Sequence, residues 1–471
     1  MSRLIAVAAL ASPASRRWRW AVAGSAVRTC SSSLVGRFRL LRGFASRDQA
    51  VPRHDSGMRD TELYRHLLGL VAPWQVSRVE LSVADGRVDV WAQHPRRTRF
   101  ACPECERKLA VYDHSEERAW RHLDSCGFLT YLHAGPPRVD CPDHGVLQVR
   151  LPWAEPNSRF TMLFQRLAID VLTECDVTGA ARLLHLSWDE AWHVMDRAVA
   201  RGLAAKAQVA PARIGVDEKS AGRGQDYITV VSDLDRGTVD YLVDERRQAS
   251  LDSYFDRFTA EQRAGIEAVA MDMWEPYINS ARANLEDADE KIVFDRYHLM
   301  KYLTTAVDTV RKQENRALAA GGDKRLAGSK YLWLYSAENL PARHVGRFAR
   351  LRAGDLKTAR AWAIKESLRH FWAYQRRGWA AKHFKRWYFW ATHSRLQPVI
   401  DAARTLKRHE AGLLSYFAHR ISNAGAEGLN SRIQAIRVSA RGYRNREHFK
   451  TAIYFHLGGL QLYPQTHGLP R

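Results

Sequence analysis

Five short runs of β-branched and apolar residues lie between positions 212 and 298: ARIGVDE, YITVVSDLD, TVDYLVDE, IEAVAMDM and KIVFDRYH. Their length and their Val and Ile content predict strands. A helix is expected around Leu251–Phe258 after the third run and another around Pro276–Leu285 after the fourth, and a Gly-containing turn at Arg236–Gly237 folds the second and third into a hairpin. Further on, Leu429, Ile433, Ile436 and Ala440 recur at spacings of four, three and four, one face of a 3.6-residue period. Glu427, Ser431, Gln434 and Val438 fall roughly opposite, so a helix laying its Leu/Ile stripe on the sheet would hold Glu427 on its other side. Positions 301–420 read as helical, without strand alternation. Upstream, VTGAARLLHLSWDEAWHVMDRAVARG predicts helix, tight turn, helix, with Ser187 and Glu190 as a capping box. Earlier still come an amphipathic helix, TELYRHLLGL, and a strand pair turning at Asp85–Gly86. The pattern is that of an α/β chain of several domains.

Composition narrows the partners. The chain has 471 residues, 46% of them hydrophobic, and a formal charge of +21. That length supports two to four cored domains, and the surplus of cations points to a polyanion, nucleic acid first and an anionic membrane surface second. No run of ~18 apolar residues is present, so no spanning helix is expected. Six cysteines are too few for a secreted disulfide framework and suit metal-bound thiolates in a reducing cytoplasm. Residues 1–57 carry ten Arg against two Asp and no sustained periodicity, and are expected to be disordered. LIAVAALAS followed by an Arg-rich, acid-poor stretch has the look of a targeting segment. The simpler expectation is a true start at Met58, with the leader an artefact of upstream translation.

Two sets of residues carry chemistry. Cys102 and Cys105 in CPEC, with Cys141 and His144 in CPDHG, form two knuckles whose soft and borderline ligands suit tetrahedral Zn²⁺. His114, His122 and His133 lie between the knuckles and are alternatives to His144. The second set is Asp217 and Asp272, expected at strand ends, and Glu427 on the late helix. Two strand-end Asp and one helical Glu are what a phosphoryl-transfer site with two Mg²⁺ ions requires. Asp272 and Glu427 are 155 positions apart, which calls for an inserted all-helical domain. That insert holds Trp333, Trp362, Trp372, Trp379, Trp387 and Trp390, and its HFKRWYFWATHSR stretch interleaves cations with rings in a way that can grip a phosphate backbone and stack on an unpaired base. Most of these Trp residues are expected in the core, with one or two left for DNA.

At GVDEKS, MDMWEPY, FDRYHLMKYL and AEGLNSRIQAIRVSARGYRN the sequence resembles the ISL3 family of insertion-sequence transposases, from about Met58 to the C-terminus. The resemblance implies a DDE catalytic core, with Asp217, Asp272 and Glu427 as its first, second and third metal-binding acids. The β-β-β-α-β-α-β order agrees, being that of an RNase H-like mixed sheet with the first and fourth strands side by side, Asp217 and Asp272 ~4.8 Å apart across them. Asp295 and His298 form a D-x-x-H signature like that of several DDE families. They are expected either near the scissile phosphate or as a buried hydrogen-bonded pair.

The expected domains are the leader at 1–57, a zinc-binding module at 58–155, a helix-turn-helix at 156–205, the catalytic domain at 206–300 and 421–471, and the insertion at 301–420. In the helix-turn-helix, Asp189, His193, Arg197 and Arg201 are expected to face the major groove, an ordinary three-helix spacer being the alternative. Arg441, Arg444 and Arg446 are expected to meet DNA or to form a solvated basic face. The function implied is DNA cleavage at the element's ends and strand transfer by a cytoplasmic, nucleoid-associated enzyme. Its partners would be double-stranded DNA, as terminal inverted repeats and target, with no membrane, in a homodimer or larger assembly. A domesticated, non-catalytic regulator and a nuclease without joining activity are the rivals.

Overall fold

The computed structural model describes residues 58–220, 222, 226–421 and 424–465, without the side chains of Ala424, Ala426 and Glu427. The leader at 1–57 lies outside the described residues. The first module opens with helix α1 (Asp60–Leu67) and strands β1 (Gln75–Ser82) and β2 (Arg87–Gln93), joined by a turn in which Gly86 takes a positive φ of 61°. The strands β3 (Arg99–Ala101), β4 (Lys108–His114), β5 (Arg118–Arg121), β6 (Leu129–Ala134), β7 (Pro137–Cys141) and β8 (Gly145–Gln148) follow. They form two four-stranded sheets, β1-β2-β6-β5 and β3-β4-β7-β8, and Trp74, Trp120 and Trp153 fill the core beside the first. Only β1 and β2 were expected; β3, β5 and β8 are three or four residues long, too short for alternation to show.

Helices α2 (Met162–Glu174), α3 (Val177–Leu183) and α4 (Trp188–Ala205) come next, and the capping box of Ser187 and Glu190 opens α4. Ala180, Leu184, Trp192, Met195 and Val199 are buried together with Phe164 and Leu172 of α2, whereas Leu183 is 61% exposed.

The central sheet uses all five expected runs: β9 (Arg213–Ser220), β10 (Tyr227–Asp233), β11 (Thr238–Asp244), β12 (Ala268–Met271) and β13 (Ile292–Phe294). Their order is β11-β10-β9-β12-β13; β9 to β11 pair antiparallel, and β12 runs parallel to both β9 and β13. Between strands lie α5 (Gln248–Phe255), α6 (Ala260–Ala264), α7 (Glu275–Asn284) and α8 (Ala288–Lys291). Alternation sends Ile214, Val216 and Val231 to one face, against Tyr254, Phe255, Tyr277 and Ile278. Ile228, Val230, Val239 and Leu242 face the other way.

After β13, the 25-residue α9 (Arg296–Ala320) leads into α10 (Lys330–Leu334), α11 (Ala342–Ala353), α12 (Lys357–Arg369), α13 (Arg377–Thr392), α14 (Gln397–Arg408) and α15 (Glu410–His419). Their core is continuous with the first face of the sheet through Leu299, Leu303 and Val307 of α9, and it takes in Trp333, Trp362, Trp372 and Trp387. The chain then returns as α16 (Ala424–Ser439) and α17 (Arg446–Leu457) on the second face. There Leu429 and Ile433 of α16 and Phe449 and Ile453 of α17 cover the strand residues, as the Leu/Ile stripe anticipated. Each such buried side chain contributes about 1.5–3 kcal/mol. Among the described residues no helix is long and apolar enough to cross a membrane.

Candidate active site

Both knuckles converge. Cys105 Sγ lies 3.7 Å from Cys141 Sγ, and His144 Nδ1 lies 3.5 Å from Cys141 Sγ and 4.0 Å from Cys102 Sγ. A tetrahedral zinc ion with its usual bond lengths sets sulfur–sulfur edges of ~3.7 Å and sulfur–nitrogen edges of ~3.5 Å, so the four ligands are spaced for Zn²⁺. The N–H groups of Asp143 and His144 donate to Cys141 and hold its thiol below its ordinary value, as a zinc thiolate needs. The three alternative histidines are engaged elsewhere: His122 with Thr161 Oγ1 at 2.9 Å, His133 with Asp89 at 2.5 Å, and His114 with His94 at 2.9 Å.

The second site grows from the register of β9 on β12. Their last pair is Gly215 with Ala270, so Asp217 and Asp272, each two residues further on, occupy equivalent positions past the end of the parallel pairing. Asp217 is not at the end of its strand, as expected from the sequence, because β10 continues to pair with β9 through Asp217 to Ser220. What ends at that point is the pairing to β12, and this opens the sheet edge beside both acids. Asp272 is buried, and oxygens of Asp217, Glu218 and Asp272 lie within 4.8 Å of one another. Asp217 accepts from the Glu218 N–H at 2.7 Å and from the Asn430 side chain of α16.

On the far side, Asp295 caps α9, accepting from the Tyr297 N–H at 2.8 Å and from His298 Nδ1 at 3.0 Å. The same imidazole nitrogen is 2.5 Å from Asp272 Oδ1, and the two carboxylates, Asp272 first, raise the His298 pKa to about 10. Burial, then the charge of Asp272, raises the pKa of Asp217. Burial lifts that of Glu218 to about 7, with Asp272 and Asp217 adding to it and Arg246, 3.0 Å from Glu218 Oε1, opposing it. Glu218 Oε2 is buried yet accepts no hydrogen bond, whereas Asp272 Oδ1 is held by the His298 imidazole. Crowded carboxylates, raised pKa values and a buried oxygen without a donor are what a hard divalent cation would relieve. A cleft of about 550 Å³, lined by Glu218, Arg246, Asp272, Trp274, His298 and Lys301 among others, opens directly on this cluster.

Thus the fold brings Asp217, Asp272, Asp295 and His298 together. The backbone of Glu427 lies in the first turn of α16, and its side chain is outside the described residues. Sequence reasoning missed Glu218, Arg246 and Asn430. Two of them carried a signal, Glu218 as the immediate neighbour of Asp217 and Asn430 as one helical turn beyond Glu427.

The expected DNA-facing residues divide. Asp189 and His193 are exposed at the start of α4, with His193 Nδ1 2.7 Å from the Asp189 carbonyl oxygen. Arg201 instead makes two bonds to Glu155, at 2.8 and 2.7 Å, and Arg197 donates to the Pro156 carbonyl at 3.0 Å. An acid just before the helices holds both guanidinium groups against the protein. Arg446 likewise pairs with Asp226 and Asp244 at the edge of the sheet. Arg441 and Arg444 stay exposed on a cleft of about 790 Å³ that also contains Trp188, Trp192 and His448.

Comparison with known proteins accounts for all three parts. A family model described as "Transposase" of the DDE, ISL3 type matches residues 214–453. The "helix-turn-helix domain of transposase family ISL3" matches 149–199, and the "zinc-finger of transposase IS204/IS1001/IS1096/IS1165" matches 98–144. The transposase for insertion sequence element IS1557 of Mycobacterium tuberculosis, in strains H37Rv and CDC 1551, is 28% identical over 418 residues, covering 82% of this chain and 93% of its own. That for IS1001 of Bordetella parapertussis is 26% identical over 395 residues, covering 82% of this chain and 97% of its own. Sheet, acids and matches together define a DNA transposase of the DDE type. Within that class, the chain belongs to the ISL3 family.

Proposed function

We propose that the protein cuts DNA at the ends of its own element and joins the freed 3′-hydroxyl to a target, with Asp217, Asp272 and Glu427 holding two Mg²⁺ ions. The observation that carries the reading is the register equivalence of Asp217 and Asp272 beside a buried Glu218 oxygen that lacks a donor. Glu427 is included because it precedes by three positions Asn430, which bonds Asp217, and residues three apart share a helix face. The sheet order β11-β10-β9-β12-β13 supports an RNase H-like core. That core would comprise 206–300 and 421–471, with 301–420 inserted, the zinc module at 58–155 and the helix-turn-helix at 156–205.

When bound, the two cations activate the attacking water or 3′-hydroxyl and offset charge on the departing oxygen. The chain's own part is positioning and charge. Asp295 orients His298, which steadies Asp272 from the cleft side, while Asn430 ties α16 to Asp217. Lys301 and Arg246 line the cleft, where they attract phosphates. The helix-turn-helix, through Asp189 and His193, and the cleft with Arg441 and Arg444 are proposed to read the terminal repeats. Because two ends must be held at once, the working form is a homodimer or larger.

The test incubates purified protein with terminal-repeat DNA, Mg²⁺ and a plasmid target. Joined product is expected from the native chain and at least a hundredfold less from Asp217→Asn. Cleavage without joining would make the protein a nuclease, and binding without either would make it a regulator.

A further inference from the structure

We propose that Glu218 is a fourth acidic ligand of the divalent-cation site, holding the cation from the cleft side of the sheet while Asp217 holds it from the α16 side. Strict alternation along β9 would send Glu218 to the face opposite Asp217 and out of reach. The structure departs from that expectation for a local reason. Pairing to β12 ends at Gly215, so nothing bonded to that edge of β9 stands between the two faces at 217 and 218. The longer Glu side chain reaches across the open edge, and its carboxylate comes within 4.8 Å of those of both Asp217 and Asp272. Oxygens on one octahedral Mg²⁺ are ~2.9 Å apart when adjacent and ~4.2 Å when opposite, so closure on a cation draws adjacent pairs together by up to about 2 Å.

The two oxygens of Glu218 have different surroundings. Oε1 is 3.0 Å from the Arg246 guanidinium, which lies 4.3 Å over the ring of Trp274 and is thereby fixed on the cleft wall. Oε2 is buried and accepts no hydrogen bond. An anionic oxygen out of water with no donor is costly unless a cation completes it. Arg246 engages only Oε1, which leaves Oε2 free for the cation.

This inference rests on the two-metal reading, and calorimetric titration of Mn²⁺ into the zinc-loaded full chain separates the two. Glu218→Gln is expected to weaken Mn²⁺ binding at least tenfold with circular dichroism unchanged, and Asp217→Asn to weaken it further. Arg246→Gln is expected to keep Mn²⁺ binding within about threefold of native, since it leaves the carboxylate in place. Native-like Mn²⁺ binding in Glu218→Gln alongside loss in Asp217→Asn would overturn the role of Glu218 only. Equal losses in Glu218→Gln and Arg246→Gln would do the same, by reducing Glu218 to Arg246's structural partner. No loss in either Glu218→Gln or Asp217→Asn would remove the metal reading itself.

Discussion

His122 shows how much one side chain can tie the zinc module to pH. It is buried against Thr161, and burial, followed by the charge of Arg121, depresses its pKa from the ordinary 6.5 to about 4. A histidine depressed in the folded state takes up its proton more readily when unfolded. Its contribution is therefore complete above pH ~6.5 and is lost as pH falls towards 4. At pH 4.5 the loss is about 2–3 kcal/mol. Urea unfolding at pH 7 and pH 4.5 should show that loss in the native chain and a smaller one in His122→Asn. Equal acid sensitivity in both would mean that other groups carry it. The pairing of Arg201 with Glu155 makes a related point. The amphipathic pattern of α4 gave no sign of a partner 46 positions upstream, so a guanidinium expected at DNA turned out to be held by the protein.

Among the elements, α13 separates structural from available aromatics. Trp387 and Phe384 are buried, whereas Trp379, Phe389 and Trp390 are 54%, 64% and 41% exposed. Trp379, Lys382, Arg386, Phe389 and His393 recur at helical spacing along the outer face, with Lys382 Nζ 4.8 Å from the Trp379 ring and Phe389 stacked on His393. Rings flanked by cations suit an unpaired strand, each stacked base adding about 1–3 kcal/mol. Fluorescence anisotropy with an oligo-dT strand should show about tenfold weaker binding for Trp379→Ala with Phe389→Ala; native-like affinity would leave the ridge without this role. The sequence put most Trp residues in the core and left one or two for DNA without saying which, since a helical stripe identifies a face only once its packing partner is known. Elsewhere legibility followed the strength of the local signal. The five strands of the central sheet were readable because their Val and Ile runs are dense. The zinc set was readable because its ligand spacing is itself the signal. Glu218 was not, because the alternation rule that places Asp217 correctly sends its neighbour to the wrong face, and the open edge that reverses this depends on β12, more than fifty positions away.

At the scale of the whole molecule, the helix-turn-helix and the catalytic sheet share one apolar layer. Ala452 and Phe455 of α17 sit in the core formed by α2, α3 and α4, while Phe449 and Ile453 of the same helix cover the sheet beside Leu429 and Ile433 of α16. α17 therefore packs against both α4 and α16, the helix that bonds Asp217. A close approach in that junction is at Gly202 in α4, where a Cβ would lie 2.7 Å from Leu460 Cβ. Gly202→Val must push the segment after α17 away, with an overpacking cost of about 1–3 kcal/mol. Hydrogen exchange read by mass spectrometry should then rise roughly tenfold in both α4 and α17 and stay unchanged in the β1-β2-β6-β5 sheet. A rise confined to α4 would mean that the helix-turn-helix moves independently of the sheet. Coupled exchange would make the position of α16, and with it the tie from Asn430 to Asp217, responsive to whatever the helix-turn-helix binds.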